Sequence, residues 1–485
     1  MDTNIIIGRE EEKSVLDGIV SDGGACLAAV YGRRRVGKTY LVRSYLKSYI
    51  CFEFSGIHNI TTEVQLENFS KAMSVQLNQS IQLSAAANWF EAFEQFALLL
   101  QKMKRKKKAV VFLDEFPWMQ TPKSNFLAAF GHFWNTRASR QHNLAIILCG
   151  SAASWMIQNV VRNRGGLHNR ITHKIPLMPF NLYETELFLK SRGVALNHYQ
   201  TVQLYMAWGG IPHYLNQAKP GLSAAQLIDA ACFTKNGALY NEFDDLYQAL
   251  FDTADRHRKV IRALAAKPMG LSRAQIIKTC KLQSGGSTTR LLDELTASGF
   301  ITPYIPFGKK IKDSIYKLTD EYSLFYLKFM EPNRTGGKGT WMKLSDTPLW
   351  KTWSGLAFET LCQKHVPALK KALGISGIYS QAGAWKSKPA AGKDNVQIDL
   401  IIDRRDNCIN LCEMKFYGDT FSVDKNYAAQ LRRKKQVFRE QAKTRKHLFI
   451  TLITTFGLQH NEHSLGLIDQ QITIPALFVH YPKET

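Results

Sequence analysis

Two groups of residues have the types and spacing of reactive sites. The first is Gly32-x-x-x-x-Gly37-Lys38-Thr39. Glycines at these positions let backbone N–H groups approach phosphates, and a helix that starts at the lysine adds its dipole. Lys38 would reach the β/γ-phosphates of a nucleotide, and the Thr39 hydroxyl would ligate Mg2+. In a chain of 485 residues, average composition matches the four fixed positions by accident with a chance of roughly a few per cent. The second group is Asp399, Glu413 and Lys415 within "VQIDLIIDRRDNCINLCEMKFYG", Val396 to Gly418. Charges inside apolar runs are costly unless something binds them. Two carboxylates beside a lysine suit a divalent metal and phosphodiester cleavage. They also suit an ordinary hairpin with outward-facing charges, because a D…E-x-K pattern of free spacing arises roughly once by accident in a chain this size.

Each group needs particular elements behind it. An apolar run, Cys26 to Tyr31, precedes the glycine-rich loop, and a helical pattern, Tyr40 to Leu46, follows it. A second β-rich run, Ala109 to Leu113, ends in Asp114-Glu115, a pair suited to Mg2+ coordination by the first acid and water activation by the second. A third, "LAIILCGSA", ends at Gly150-Ser151, where a polar side chain could sense a γ-phosphate. In the second group, Glu413 and Lys415 are two apart and share a strand face. A five-residue loop, Arg404 to Cys408, pairs Asp403 with Ile409 and sets Asp399 opposite Glu413. An even-length loop sends Asp399 to the other face unless a bulge corrects it. Upstream, the amphipathic "WSGLAFETLCQKHVPAL" carries Glu359; downstream, "NYAAQLRRKKQVFREQAKTRKH" carries Gln430, Arg432, Arg433, Lys434 and Lys435. A basic helix beside carboxylates suits a phosphate backbone, although such a run alone is commonly a solvated face.

Between the two groups the pattern turns to short helices: Lys259 to Ala265, Ser272 to Cys280 with Ser272 as N-cap, and a helix from Thr288 capped by Ser287. Leu291, Leu292 and Leu295 form the apolar stripe of the last, and Gly299 is its stop. "FITPYIP" and "DSIYKLTD" alternate as two strands around a basic tip, "FGKKIKD", which completes a winged-helix arrangement. From 256 to 320 there are 13 Lys+Arg against 4 Asp+Glu. Thr288, Thr289 and Arg290 would face a groove, and Lys309, Lys310 and Lys312 would meet phosphates. Winged helices also serve as packing or protein-interaction modules, and that alternative stands.

The bulk composition agrees with a soluble chain of two to four domains, 45% hydrophobic and 21% charged. An excess of 63 Lys+Arg over 40 Asp+Glu, +23 in all, favours a polyanionic partner, nucleic acid before a membrane surface. There is neither a signal-peptide pattern at the start nor a run of ~18 apolar residues, so a cytoplasmic protein without membrane contact is expected. The eight cysteines lack C-x-x-C pairing and read as reduced and mostly buried. The run Arg105 to Lys108 reads as a solvated connection.

The N-terminal half resembles the AAA-type ATPases of the archaeal-ATPase kind, relatives of the STAND signalling NTPases. The resemblance rests on "IIGREEEKSVL", "YGRRRVGKT", "VVFLDEFPW", "LCGSAASWM" and the lid signature "WGGIPHYL" with Pro212. It implies that Gly32, Arg33, Gly37, Lys38, Thr39, Asp114 and Ser151 bind ATP and Mg2+ and that Glu115 is catalytic. "GLHNRITHKIPLMPF" stands where the relatives carry an "LYGR" segment, which makes Arg170 either a γ-phosphate sensor or a surface salt-bridge partner. The C-terminal part resembles the PD-(D/E)XK nuclease superfamily, and more narrowly the nuclease-like domain fused to archaeal-type ATPases. By position Glu359 matches the helix glutamate, Asp399 the metal-binding acid, Glu413 and Lys415 the E-x-K pair, and Gln430 the polar residue of the next helix; Ile398 stands in place of the proline. The resemblance implies that Asp399 and Glu413, with Glu359 through water, hold Mg2+ while Lys415 orients the attacking water.

The expected architecture is therefore α/β: a P-loop NTPase parallel sheet over 1–180, a helical lid over 181–250, a winged helix over 251–330, and an α/β restriction-endonuclease-like domain over 331–485. The expected function is an ATP-hydrolysing, DNA-binding protein whose Mg2+-dependent nuclease acts under nucleotide control, with Arg290, Lys309, Lys310, Arg432 and Arg433 on the DNA. Homo-oligomerisation is left open. A nucleotide-switched DNA-binding regulator with an inactive nuclease fold, and a STAND-like signalling or scaffold protein, are the alternatives.

Overall fold

A computed structural model describes residues 6–77, 84–103, 107–251, 253–388 and 395–481. The chain divides into two compact units, residues 1–179 with 293–299 and residues 180–292 with 300–485. The segments expected as lid and C-terminal domain, and the middle segment apart from 293–299, fall within the second. No helix among the described residues is long and apolar enough to cross a membrane.

The first unit is built on a five-stranded parallel sheet in the order β2-β3-β4-β1-β5. The strands are β1 (Cys26–Tyr31), β2 (Ile50–Ser55), β3 (Ala109–Asp114), β4 (Leu144–Gly150) and β5 (His173–Pro176). β3 and β4 are buried at every residue, as strands covered on both faces must be. The helix Trp89–Lys102 turns Trp89, Phe93 and Phe96 into an aromatic cluster with Phe69, Phe126 and Phe133. The position of β4 between β1 and β3 fixes the site. It sets the residue after β4 beside the acids after β3, and both beside the loop after β1. In the basic connection, Arg105 and Lys106 lie outside the described residues. Lys108 is not solvated as expected: it is 5% exposed and donates to the carbonyls of Asp22 and Gly24.

The second unit opens with the short helices Leu182–Ser191, His198–Trp208, Pro212–Leu215, Ala224–Cys232 and Glu242–Leu250. The middle segment has helices Ala254–Ala265, Arg273–Cys280 and Gly286–Ala297, with β6 (Leu271–Ser272), β7 (Ile301–Tyr304) and β8 (Ile315–Leu318) forming an antiparallel sheet in the order β6-β8-β7. Ser272 caps the second helix in a reciprocal capping box with Gln275, as its sequence suggests. The third helix starts at Gly286, two residues ahead of the expected start. Thr288 lies three, four and seven residues before Leu291, Leu292 and Leu295 and so shares their face. Thr288 is therefore buried and donates its hydroxyl to the Gln283 carbonyl at 2.7 Å, which corrects its expected place on a groove-facing surface. Thr289, Arg290, Lys309, Lys310 and Lys312 are exposed.

The C-terminal segment carries a mixed five-stranded sheet in the order β15-β13-β11-β10-β9. Its strands are β9 (Ser380–Lys386), β10 (Gln397–Arg404), β11 (Cys408–Lys415), β13 (His447–Thr454) and β15 (Gln470–Thr473); β12 (Phe421–Ser422) and β14 (Leu458–Gln459) pair separately. β9, β10 and β11 run antiparallel, and β11, β13 and β15 parallel. A parallel pair needs a crossover, and the helix Lys425–Ala442 supplies it between β11 and β13. The helix Pro348–Lys364 packs against β11.

Candidate active sites

The loop after β1 depends on two glycines. A Cβ on Gly32 would stand 2.2 Å from the Leu177 carbonyl oxygen, and Gly37 holds φ 92°, which L side chains rarely adopt. The next helix, Lys38–Tyr45, starts with its N–H groups at this loop. Lys38 is 6% exposed, and its ammonium donates to the carbonyls of Gly32 (3.0 Å) and Arg33 (2.9 Å). Burial pushes it below the ordinary lysine range, against the pull of nearby Glu115 and Asp114. The Thr39 hydroxyl donates to Asp114 at 2.8 Å. Glu115, at φ 45°, accepts both the N–H (3.2 Å) and the hydroxyl (2.8 Å) of Ser151. Thus Lys38, Thr39, Asp114, Glu115 and Ser151 converge from β1, β3 and β4. Arg33 is 3% exposed beneath them. Arg170 stands exposed in the turn ahead of β5. A hydroxyl already seated on a carboxylate is a fitting donor pair for Mg2+, and backbone N–H groups with a lysine fit a nucleotide's phosphates.

The second site grows from the β10–β11 register. Asp403 pairs with Ile409 and Leu400 with Cys412, the register of the five-residue loop; the paired ladder ends there, one residue short of Asp399 and Glu413, and β10 is irregular against β9 between Ile398 and Ile401. The Asp399 carboxylate accepts the Met414 N–H. Glu359 comes from the helix packed on β11. Burial drives the carboxyls of Glu359 and Glu413 up to about 7, and the neighbouring Asp399 charge adds to it in both. Burial also raises Asp399, opposed by Lys434, Lys415 and Lys317. Glu413 is 3% exposed, and Lys434 donates to both of its oxygens, at 2.6 and 2.7 Å. The Lys415 ammonium lies over the Tyr427 ring, 4.7 Å from its centre.

Gln430, expected at this site, is exposed on the crossover helix, as are Arg432 and Arg433. Tyr427, Leu431 and Lys434, spaced four and three apart, form its inward face. Lys434 was visible only as one base in a run of four, and spacing alone did not say which one turns inward. Lys317, on β8, gave no signal at all. Among the described residues, no group of three or more His, Cys, Asp or Glu side chains could hold a metal ion. Mg2+ commonly takes one or two carboxylates, with waters and substrate phosphates completing its shell. Asp399 and Glu413 fit that pattern in chemistry, with Lys434 to be displaced from Glu413.

Comparison with known proteins bears on the first site. Residues 6–218 match the profile of an ATPase domain found predominantly in Archaea. An uncharacterized protein of Methanocaldococcus jannaschii is 24% identical over 390 residues, spanning 79% of this chain and 82% of that protein. Among solved structures, the fold is similar to a Walker-type ATPase of Pyrococcus abyssi, at 18% identity and TM-score 0.47, over 66% of this chain and 96% of that one. It is also similar to the ORC2 protein of Aeropyrum pernix in its ADPNP–ADP complexes, at 14% identity and TM-score 0.40, over 69% and 97%.

Proposed function

We propose that the protein binds and hydrolyses ATP at the P-loop site and uses it to control a Mg2+-dependent nuclease acting on DNA at the Asp399–Glu413 site. The observation that supports the nuclease half is the β10–β11 register, paired from Asp403–Ile409 to Leu400–Cys412, which when continued would bring Asp399 opposite Glu413, the strand neighbour of Lys415. At the P-loop, Lys38 would leave the Gly32 and Arg33 carbonyls for the β/γ-phosphates, Thr39 and Asp114 would hold Mg2+, and Glu115 would orient the attacking water. At the acid site, Asp399 and Glu413 would hold Mg2+, with Glu359 reaching it through water, and Lys415 would position a water and offset developing charge. When bound, Mg2+ polarises the phosphate and lowers the pKa of an attacking water. The helices and three-stranded sheet of residues 254–318 support a winged-helix reading. The exposed Arg290, Lys309 and Lys310, with Arg432 and Arg433 on the crossover helix, are the proposed phosphate contacts.

The Lys434–Glu413 pair favours a second reading, in which the acid site is self-neutralised and the domain only holds DNA under nucleotide control. Plasmid cleavage, with and without ATP, is compared for the parent, Lys415→Ala and Lys38→Ala under Mg2+ or Mn2+. The nuclease reading expects cleavage that Lys415→Ala abolishes and that Lys38→Ala uncouples from ATP. No cleavage by the parent selects the regulator, and cleavage surviving Lys415→Ala removes the site assignment.

A further inference from the structure

The β7–β8 hairpin has a second, inward-facing role. Lys309, Lys310 and Lys312 at its tip are exposed, but Lys317 on β8 turns toward the acid site. Its ammonium donates to the Gln363 side-chain oxygen at 3.2 Å, and the Gln363 amide donates to the Asp399 carbonyl at 2.8 Å. One glutamine thus ties the hairpin to the acid strand. Lys317 and Glu359 line the same cavity of about 400 Å3, whose other walls include Leu318, Leu324, Trp353 and Leu356. Burial depresses the Lys317 ammonium, and the charges of Glu359 and Asp399 sustain it. The hairpin is also anchored away from this contact. Phe307 donates its N–H to the Ala384 carbonyl at 3.1 Å, and its ring lies 5.4 Å from that of Phe438 on the crossover helix. Lys317 therefore sits on a hairpin held at two places, beside a site where Lys434 already covers Glu413.

We infer that Lys317 is a positioning residue of the acid site: an internal cation, delivered by the β7–β8 hairpin into the cavity that Glu359 lines and tied through Gln363 to the Asp399 strand, that competes with a divalent metal for these carboxylates. The inference rests on reading Asp399 and Glu413 as a metal site. A fixed positive charge beside two carboxylates serves as their counter-ion in the metal-free protein and repels an incoming cation. Gln363 fixes the distance at which it acts.

The test uses the full chain without nucleotide or DNA, titrated with Mn2+ alone, free Mn2+ being read by electron paramagnetic resonance. Asp399→Asn identifies the binding that belongs to this site. Lys317→Met should tighten that binding about tenfold, a modest share of a charge–charge interaction at this depth, while Lys317→Arg stays within about twofold of the parent. Where Lys317→Met does not fold by circular dichroism, Lys317→Gln is read against the same thresholds. If Asp399→Asn removes binding but the uncharged variant binds as the parent does, or more weakly, the inference is overturned and the metal-site reading survives. If Asp399→Asn changes nothing, the metal-site reading fails and the inference fails with it.

Discussion

The two acid sites solve the same problem in opposite ways. At the P-loop, Asp114 and Glu115 are held by neutral donors, the hydroxyls of Thr39 and Ser151 and the Ser151 N–H, while Lys38 rests on two backbone carbonyls. At the C-terminal site, Glu413 is held by a cation, Lys434, and Lys317 lines one cavity with Glu359. The first arrangement keeps its lysine on neutral carbonyls alone, which an anionic ligand could replace. The second has Lys434 engaged on Glu413, and a metal bound there would have to compete with it. Preorganisation for a ligand is thus a matter of which partners a charge has in the ligand-free state, beyond which residues are present.

The largest expected effect tests the first half of that contrast. Lys38→Ala should lower ATP hydrolysis by about a hundred- to a thousandfold, measured as phosphate release, because the charge aimed at the transferred phosphate is lost. Hydrolysis persisting within a few-fold of the parent would show that the lysine's place on two carbonyls is only structural. Next, the second unit holds a buried neutral partner of its own. His365 is 1% exposed, its Nε2 accepting the Leu182 N–H (3.1 Å) while its other ring nitrogen meets the Leu361 carbonyl (2.8 Å). Burial holds its pKa down to about 4, from an ordinary 6.5. The unfolded chain therefore takes up this proton first as pH falls. The stability involved is complete above about 6.5 and lost progressively toward 4, on the order of 3 kcal/mol. Thermal unfolding of the parent against His365→Gln should show the parent losing this increment in that window, and parallel curves would refute it.

Smaller effects compare the two ways of holding an acid. Lys434→Met leaves Glu413 buried without its cation and should cost about 2 kcal/mol, a fully buried pair's cost discounted because Lys434 is partly exposed. Thr39→Val removes one hydrogen bond from a neutral hydroxyl to the Asp114 carboxylate and should cost about 1.5 kcal/mol. Calorimetric melting of both variants orders the pair, and equal losses would erase the distinction drawn between the sites. Smallest is the double variant Arg432→Ala, Arg433→Ala, which should reduce the slope of log affinity against log salt by about 2 for duplex DNA, without changing sequence preference. An unchanged slope takes these arginines off the phosphate backbone.

Much of this was legible in the residues. The glycine-rich loop carries its strand and helix with it, and the acids after Ala109–Leu113 follow from a run too apolar to be anything but a central strand. The β10–β11 register was legible too, since the parity of a five-residue loop decides which face Asp399 takes. Helix phase was harder. The expectation that Thr288 faces a groove fails because it stands three, four and seven residues before the apolar stripe of Leu291, Leu292 and Leu295, a spacing that turns it inward. In the crossover helix, Gln430 matched by position but stands exposed, and Lys434 three residues beyond Leu431 faces the acids instead.

The sequence by itself determined what is local: the phosphate loop, the acids at strand ends, and the shared face of Glu413 and Lys415, all set by spacings of a few residues against a fixed backbone period. The tertiary structure decided which distant charges meet. Lys108 is drawn onto buried carbonyls of another loop. Ser151 reaches Glu115 only because β4 lies beside β3, Lys434 reaches Glu413 from a helix, and Lys317 reaches Gln363 from a hairpin far from it in sequence. Charge partners are chosen by how elements pack, and packing depends on whole apolar faces rather than on the charged residue itself.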